Sequence, residues 1–393
     1  MKVRLDEIIE KTFAGEWGSD DVDNNGIPVL RTTNFTNDGT VNYSDVVTRK
    51  ITKENINHKF LKKGDILIEK SGGSNKQPVG RVVYFVGEEN KFLFNNFTGL
   101  IRVKNYDKWS SEYIFYSLFV NYLNGSTKKF ENKTTGLHNL KLDSYLKSVE
   151  ITERSLKEQQ AIVNVLNHLN KIIQKRKKQL KKLDELVKSR FIEQIGTIKD
   201  TKFKITELES LCEFIKDGTH QTPAYTDDKI HGFKFLSSKD VTTRKISWDK
   251  VKYITPDLHK QLYSVIAPKR GDILLAKNGT IGYAAVVDND EIFDIYVSLA
   301  LLRPKKENDV YYLWAAINNN ETKAQFISSL KGIGVPNLHL REIKKTKIIV
   351  PPIDIQRKFS GFITQTDKSK LEIQKSLDKL EILKKSLMQK YFG

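Results

Sequence analysis

The chain has 393 residues, 39% hydrophobic and 29% charged, with only 22 Gly and 9 Pro, which excludes collagen-like and wholly disordered chains and suits two or three domains of about 100–200 residues. Its 66 Lys plus Arg against 48 Asp plus Glu leave a net charge of +18, which favours polyanionic partners, nucleic acid first and anionic membrane second. A lone Cys212 excludes an internal disulfide, and the longest apolar run, residues 295–302, ends at Arg303, far short of the ~18 residues of a membrane span. The charged start, with Lys2, Arg4, Asp6, Glu7 and Glu10, does not read as a signal peptide, so a soluble, cytoplasmic protein is expected.

In chain order, residues 1–150 mix short β-rich runs (66–68, 81–86 and 100–103), bounded by Gly, Asn or Asp, with a helical stretch at 111–124. Residues 151–200 read differently. No Gly or Pro occurs from 156 to 194, and Ile162, Leu166, Leu169, Ile173, Leu180, Leu183 and Val187 follow one another at steps of 4, 3, 4, 7, 3 and 4. That is a heptad seam broken only at Arg176. Residues 201–348 return to the mixed pattern, with a strand at 273–275 and a helix at 310–318. Residues 349–393 give a second seam through Phe359, Ile363, Ile373, Leu377, Leu380 and Leu387, with Thr366 and Lys370 weakening its middle. A helix of about 37 residues spans roughly 55 Å, too long for one small globule to cover. The two helices are expected to run antiparallel against each other; the other arrangement has each packing on its own globule. Aromatics such as Tyr84, Phe85, Tyr113, Phe115, Tyr311 and Trp314 read as core.

The chain is written twice. Lys63-Gly64-Asp65-Ile66-Leu67-Ile68 returns as Arg270-Gly271-Asp272-Ile273-Leu274-Leu275, 207 positions later. The segment 26–33, ending Arg31-Thr32-Thr33, is echoed by 232–239, ending Ser237-Ser238-Lys239. Gly136-Leu137-His138-Asn139-Leu140 pairs with Gly334-Val335-Pro336-Asn337-Leu338 at an offset of 198, and Leu180 and Leu183 with Leu377 and Leu380 at 197. Four blocks in one order with slowly drifting offsets indicate a duplication.

The common catalytic constellations do not appear in the sequence. There is no phosphate-cradling Gly-rich Lys motif, no His-Glu-x-x-His and no serine elbow, and Asn337 stands where Gly332-Ile333-Gly334 would need a third glycine. Seven scattered histidines and one Cys do not compose a zinc site. No Asn/Asp-Pro-Pro-aromatic tetrapeptide of an adenine methyltransferase occurs, since Pro351-Pro352 is followed by Ile353-Asp354 and reads as helix-entry punctuation. Asp/Glu-x-Lys triplets are too frequent in so lysine-rich a chain to identify a nuclease.

Binding signals are stronger. After each Gly-Asp-Ile-Leu strand comes a polar loop, with Lys70, Ser71, Asn75, Lys76 and Gln77 in the first half and Lys277, Asn278 and Thr280 in the second. Lysines pair with phosphates, and Asn or Gln can address adenine edges. Similar content recurs at Arg31, Thr33 and Asn34 opposite Lys239, at Lys133 and Thr134 opposite Lys331, and at 17–19, which answers to Asp217-Gly218-Thr219-His220-Gln221. From the second of these sets Thr219, His220 and Gln221 are candidates. The basic run 175–178 with Lys181 and Lys182 is either a solvated helix face or a contact with DNA or an acidic partner.

These features together resemble the specificity subunit of Type I restriction-modification systems. The resemblance rests on the doubled order of the 26–31 segment, the Lys-x-Gly-Asp-Ile-Leu strand, and the Asn-Leu…Gln run entering each helix, from Asn139-Leu140 to Gln159 and from Asn337-Leu338 to Gln356. Glu153-Arg154 stands where the second copy has Pro351-Pro352, and Ile355 where the first has Glu158. The family implies an α+β fold: two tandem, pseudo-symmetric α/β target recognition domains (1–150 and 201–348) separated by a long antiparallel coiled coil of a central spacer (151–200) and a C-terminal spacer (349–393). It implies a non-catalytic reader of a bipartite, asymmetric double-stranded DNA target with a fixed unread gap. Two modification (methyltransferase) subunits would dock on it and restriction (nuclease-translocase) subunits complete the assembly, so that S-adenosylmethionine, ATP and magnesium belong to partners. The other reading is a stand-alone DNA methyltransferase or nuclease with an unrecognised active site.

Overall fold

A computed structural model describes residues 1–134, 137–330 and 337–393, with backbone only at 133, 134 and 137. The chain forms two compact units, Met1–Lys177 with Lys375–Gly393, and Lys178–Gln374. Each holds one mixed α/β globule together with half of each long helix.

In the first unit, the strand Ile66–Glu69 lies between Val82–Tyr84 and Thr98–Ile101, antiparallel to both. Ile66, Leu67 and Ile68 are fully buried, because alternation sends Ile66 and Ile68 into the core under the helix Ser111–Leu123 and Leu67 into a second core with Leu30, Phe85 and Phe94. The second core belongs to a four-stranded sheet ordered Ser19–Asp20, Val47–Lys50, Ile27–Leu30, Leu93–Phe94. The second unit repeats the plan: Ile273 and Leu275 face the core beneath the helix Val310–Ile317, while Leu274 and Ala276 face the other.

The doubled Gly-Asp has a structural cause. Gly64 and Gly271 adopt φ of 91° and 90°, a left-handed conformation that suits glycine in a tight turn. Each turn places a buried carboxylate. Asp65 accepts from Arg102 Nε at 2.8 Å and Nη2 at 2.6 Å and from the Lys62 N–H at 2.7 Å. Asp272 accepts from Arg303 Nε and Nη2, both at 2.8 Å, and from the Lys269 N–H at 2.9 Å. The arginines in turn donate to carbonyls of the preceding loop, Phe60 in one unit and Ala267 in the other. The repeated motif is thus first a fork that closes the loop before the central strand.

The long helices are Leu156–Ile195 and Ile353–Phe392, 40 residues each. In the first unit Ile162, Leu166, Leu169 and Ile173 are buried, and Met388, Leu387 and Phe392 of the second helix pack into the same core as Ile162 and Leu166. In the second unit, Phe191 and Ile195 meet Phe359 and Ile363, with the Phe191 and Phe359 rings edge to face at 5.5 Å. The start of one helix therefore pairs with the end of the other, an antiparallel coiled coil as the heptads indicate. Leu377 is buried, whereas Leu180, Leu183, Val187, Ile373, Leu380 and Leu387 are half-buried along the seam. Both polar positions in its middle have partners. The Thr366 hydroxyl donates to the Phe362 carbonyl at 2.9 Å inside the seam, and Lys370 reaches Asp184 at 2.6 Å.

Buried glutamines fix both helix starts. Gln159 donates to the Lys108 and Arg154 carbonyls and accepts from the Ser110 N–H at 2.9 Å; Gln356 donates to the Pro351 carbonyl and accepts from the Asp309 N–H, both at 2.9 Å. Tyr311 corrects the sequence reading of a core aromatic: it is 43% exposed, because Tyr312, Leu313, Ala316 and Ile317 form the inward face of that helix. No helix among the described residues is long and apolar enough to cross a membrane.

Asp65→Ala should destabilise the chain by about 3–5 kcal/mol, because it leaves the Arg102 charge buried and uncompensated. In denaturant unfolding the double variant with Arg102→Met should lose less than the sum of the single losses.

Candidate nucleic-acid interface

In the first unit the polar loops are brought together by backbone bonds. The Lys70 and Ser71 N–H groups donate to the Phe97 carbonyl at 2.7 and 3.2 Å, and the Leu140 N–H donates to the Lys70 carbonyl at 2.7 Å. The short strand Ser71–Gly73 then pairs with Leu137–Leu140, which pairs with Glu131–Thr134. The Ser71 hydroxyl donates to Asn139 Oδ1 at 2.6 Å. Arg81 ties in the third loop by donating to the Phe35 carbonyl at 3.0 Å and the Thr32 carbonyl at 2.9 Å, with Glu69 beside its guanidinium at 3.3 Å. Segments 31–37, 70–77, 131–134 and 137–140 thereby converge on one edge of the central sheet.

The candidates there differ in what they can offer a ligand. Asn34 is buried: it accepts from the Arg31 N–H at 2.8 Å and donates to the Asn42 and Asp45 carbonyls. Its polar groups hold the turn. Arg31 pairs with the Asp45 carboxylate at 3.0 Å, whereas Thr33, Asn75 and Lys76 are exposed and Gln77 is half-buried, 3.4 Å from Asn37. Lys133 and Thr134 lie on a strand whose side chains at these positions are outside the described residues.

The second unit uses the same bonds with other side chains. The Lys277 N–H donates to the Ser298 carbonyl at 3.0 Å, and the Leu338 N–H to the Lys277 carbonyl at 2.9 Å. Asn278 bridges Asn337. The Ser298 hydroxyl accepts from the Ser238 N–H at 3.0 Å and so draws in the 237–241 turn, where Asp240 does for Ser237 what Asn34 does for Arg31. Lys277 is buried and donates to Asp217 Oδ2 at 3.1 Å, so its charge is neutralised inside the fold. Lys239, His220, Gln221 and Thr280 are exposed, and Thr219 and Asn278 half-buried. Lys331 and the Gly334-Val335-Pro336 start of its block lie outside the described residues.

These bonds also set the true register of the repeat at the start of each half. The Glu16 N–H donates to the Phe94 carbonyl and the Thr219 N–H to the Ile295 carbonyl, while Leu30 pairs with Phe94 as Leu236 does with Ile295. Gly15, and not Gly18, is therefore the counterpart of Gly218. Both have a carbonyl where a side chain would be: a Cβ would lie 2.1 Å from the Asn95 oxygen in one and 2.2 Å from the Ile295 oxygen in the other. Trp17 instead lies under Arg49, 4.3 Å from its ring centre. Sequence reasoning also missed Arg81, Glu69 and Ser298, which position the loops; each sits in a strand or next to one, and only the pairing shows what it holds. No group of three or more His, Cys, Asp or Glu among the described residues could hold a metal ion.

Arg81→Ala should release the 31–37 turn. Amide hydrogen exchange should accelerate at 32–37 of the first unit, while the 237–241 turn, held by Ser298, stays protected.

The chain matches the family described as the Type I restriction modification DNA specificity domain twice, over residues 1–183 and 200–383. It is 24% identical over 362 residues to the type I restriction enzyme MjaIX specificity subunit of Methanocaldococcus jannaschii, covering 88% of this chain and 80% of that one. A second relative from that archaeon is 25% identical over 205 residues, 51% of this chain, and there the match spans only 47% of the relative's length. The crystal structure of the S subunit of a type I restriction-modification system from M. genitalium aligns with a TM-score of 0.54 at 16% identity, over 100% of this chain and 96% of that one; this likeness concerns the fold. With both matches spanning nearly its whole length, the chain belongs to the type I DNA specificity family.

Proposed function

We propose that this member of the family is the non-catalytic DNA-reading subunit of a type I restriction-modification complex in the cytoplasm, each unit reading one half of a bipartite, asymmetric double-stranded target. The observation that carries the reading is that one backbone scaffold is built twice and furnished differently. The turn closes on the same main-chain bond in both units, and the lysine that begins the post-strand loop is gripped by the same pair of main-chain bonds, yet Arg31, Asn75, Lys76 and Gln77 stand in one set and Lys239, Asn278 and Thr280 in the other. Unlike side chains on like scaffolds suit unlike half-sites, since base edges are distinguished by the donors and acceptors brought to them. A net charge of +18 supplies the sequence-independent attraction to phosphates.

On this reading, the helix pair fixes the unread gap and offers docking surface to two modification subunits, with restriction subunits completing the assembly. S-adenosylmethionine, ATP and magnesium are then held by those partners. Replacing residues 201–348 with the equivalent segment of a homologue should change one half-site and leave the other intact, as read by mapping methylated adenines in the complex; a change in both half-sites overturns the modular reading. Inserting four residues into 171–188 should alter the permitted gap without altering either half-site. Methyl transfer or cleavage by the purified chain alone would favour the stand-alone enzyme instead.

A further inference from the structure

The two scaffolds differ at one charged position in a way that their shared bonds make comparable. Lys70 and Lys277 are equivalents, since each donates its N–H to the carbonyl of the matching residue, Phe97 or Ser298, and accepts from the matching leucine, Leu140 or Leu338. Across the sheet, Asp217 lies opposite Ala300 and Ala14 opposite Gly99. Leu275 and Ala276 pair with Ala300 and Leu299 as Ile68 and Glu69 pair with Gly99 and Thr98, so Ala14 stands where the second unit has Asp217. The second unit therefore supplies Lys277 with a carboxylate at 3.1 Å, and the first supplies Lys70 with a methyl group.

Lys70 is half-buried. Its stem crosses Gly99, with Cδ 3.4 Å from where a Cβ on that glycine would be, and it makes no ion pair among the described residues. Two charges lie near it. Lys59 is engaged with the Ala14 carbonyl at 2.9 Å and with the Glu16 carboxylate, which Lys53 also pairs at 3.0 Å; Asp143 opens the helix Leu142–Ser148. Burial holds the Lys70 ammonium below the ordinary lysine range, with Asp143 opposing that shift and Lys59 adding to it. A cation withdrawn from water without a close anion is unfavourable. Among the described residues, the anion that the second unit builds in from its own chain is missing from the first.

We propose that Lys70 is an anion-receiving site for a DNA phosphodiester, whose oxygen takes the place that the Asp217 carboxylate holds beside Lys277, and that Lys277 itself makes no contact with DNA. This rests on the DNA-reading function above and assigns the two equivalent lysines opposite roles. Lysine suits the task because its ammonium serves as a point charge for phosphate.

The test uses the full chain and a duplex of mixed sequence, with affinity measured over a range of KCl concentrations, and thermal unfolding measured without DNA. Removing one phosphate contact lowers the slope of log K against log salt by about 0.9. Lys70→Ala and Ala14→Asp should each show that loss, the second because Ala14 is exposed and a carboxylate there can engage Lys70 internally. Lys277→Ala should keep the wild-type slope, and Asp217→Ala should steepen it by freeing Lys277. Without DNA, Ala14→Asp should raise the unfolding midpoint, and Lys277→Ala should lower it. A wild-type slope in Lys70→Ala, or an equal loss in Lys277→Ala, overturns the assignment, and so does a lowered midpoint in Ala14→Asp. If the wild-type chain fails to bind any duplex, the DNA-reading function falls and the phosphodiester with it, whatever the unfolding data show.

Discussion

A buried arginine–carboxylate fork stands at the root of each globule. Asp65 and Asp272 are 0% and 1% exposed, and a carboxylate so placed is tolerable only if its charge and lone pairs are met. Arg102 and Arg303 meet them two-pronged, and the turn N–H of Lys62 or Lys269 adds a third donor. Because the same arginines donate to carbonyls of the preceding loop, the fork sets where the central strand begins. Everything downstream in that strand inherits its register.

That register decides which side chains reach the two cores and where the strand lets go of the sheet. Period-two alternation divides Ile66-Leu67-Ile68 and Ile273-Leu274-Leu275 between a core under a helix and a core under a second sheet. At the strand's end, a lysine backbone in each unit is gripped by a carbonyl before it and a leucine N–H after it. The polar loop that follows therefore leaves from the same place in both units, next to the turn at 31–37 or 237–241. A fixed point of departure lets loop chemistry vary without disturbing the fold.

The pseudo-symmetry holds in the backbone and relaxes in the side chains. Arg81 with Glu69 ties the turn in one unit, and the Ser298 hydroxyl does so in the other. One positioning problem thus has two different solutions on the same backbone. The helix pair obeys a stricter rule. Gln159 and Gln356 have both ends of their amides bonded inside the fold, so the junction between globule and helix is kept in both copies even though Glu153-Arg154 faces Pro351-Pro352 at its start.

What can be read from the chain alone is whatever a periodicity or a repeat carries. The heptads of Ile162 to Val187 and of Phe359 to Leu387 announced two long helices, and the doubled Gly-Asp-Ile-Leu blocks announced two like globules, because local propensity and burial act on neighbours in sequence. Thr366 bonds the Phe362 carbonyl of its own helix, but that Lys370 meets Asp184 depends on the opposing helix. Asn34 and Lys277 looked like free polar groups and are internal fastenings, and Gly15 was passed over for Gly18. For Lys277 and Gly15 the deciding partner, Asp217 or the Phe94 carbonyl, is distant in the chain and near only once the sheets have formed; for Asn34 it is the fold of the loop to Asp45. The sequence thus determined that the protein is a duplicated pair of mixed globules on two amphipathic rods. Only the tertiary structure decided which polar side chains the fold consumes and which it leaves to a ligand, because that division is made by hydrogen bonds and charges that meet across the sheets.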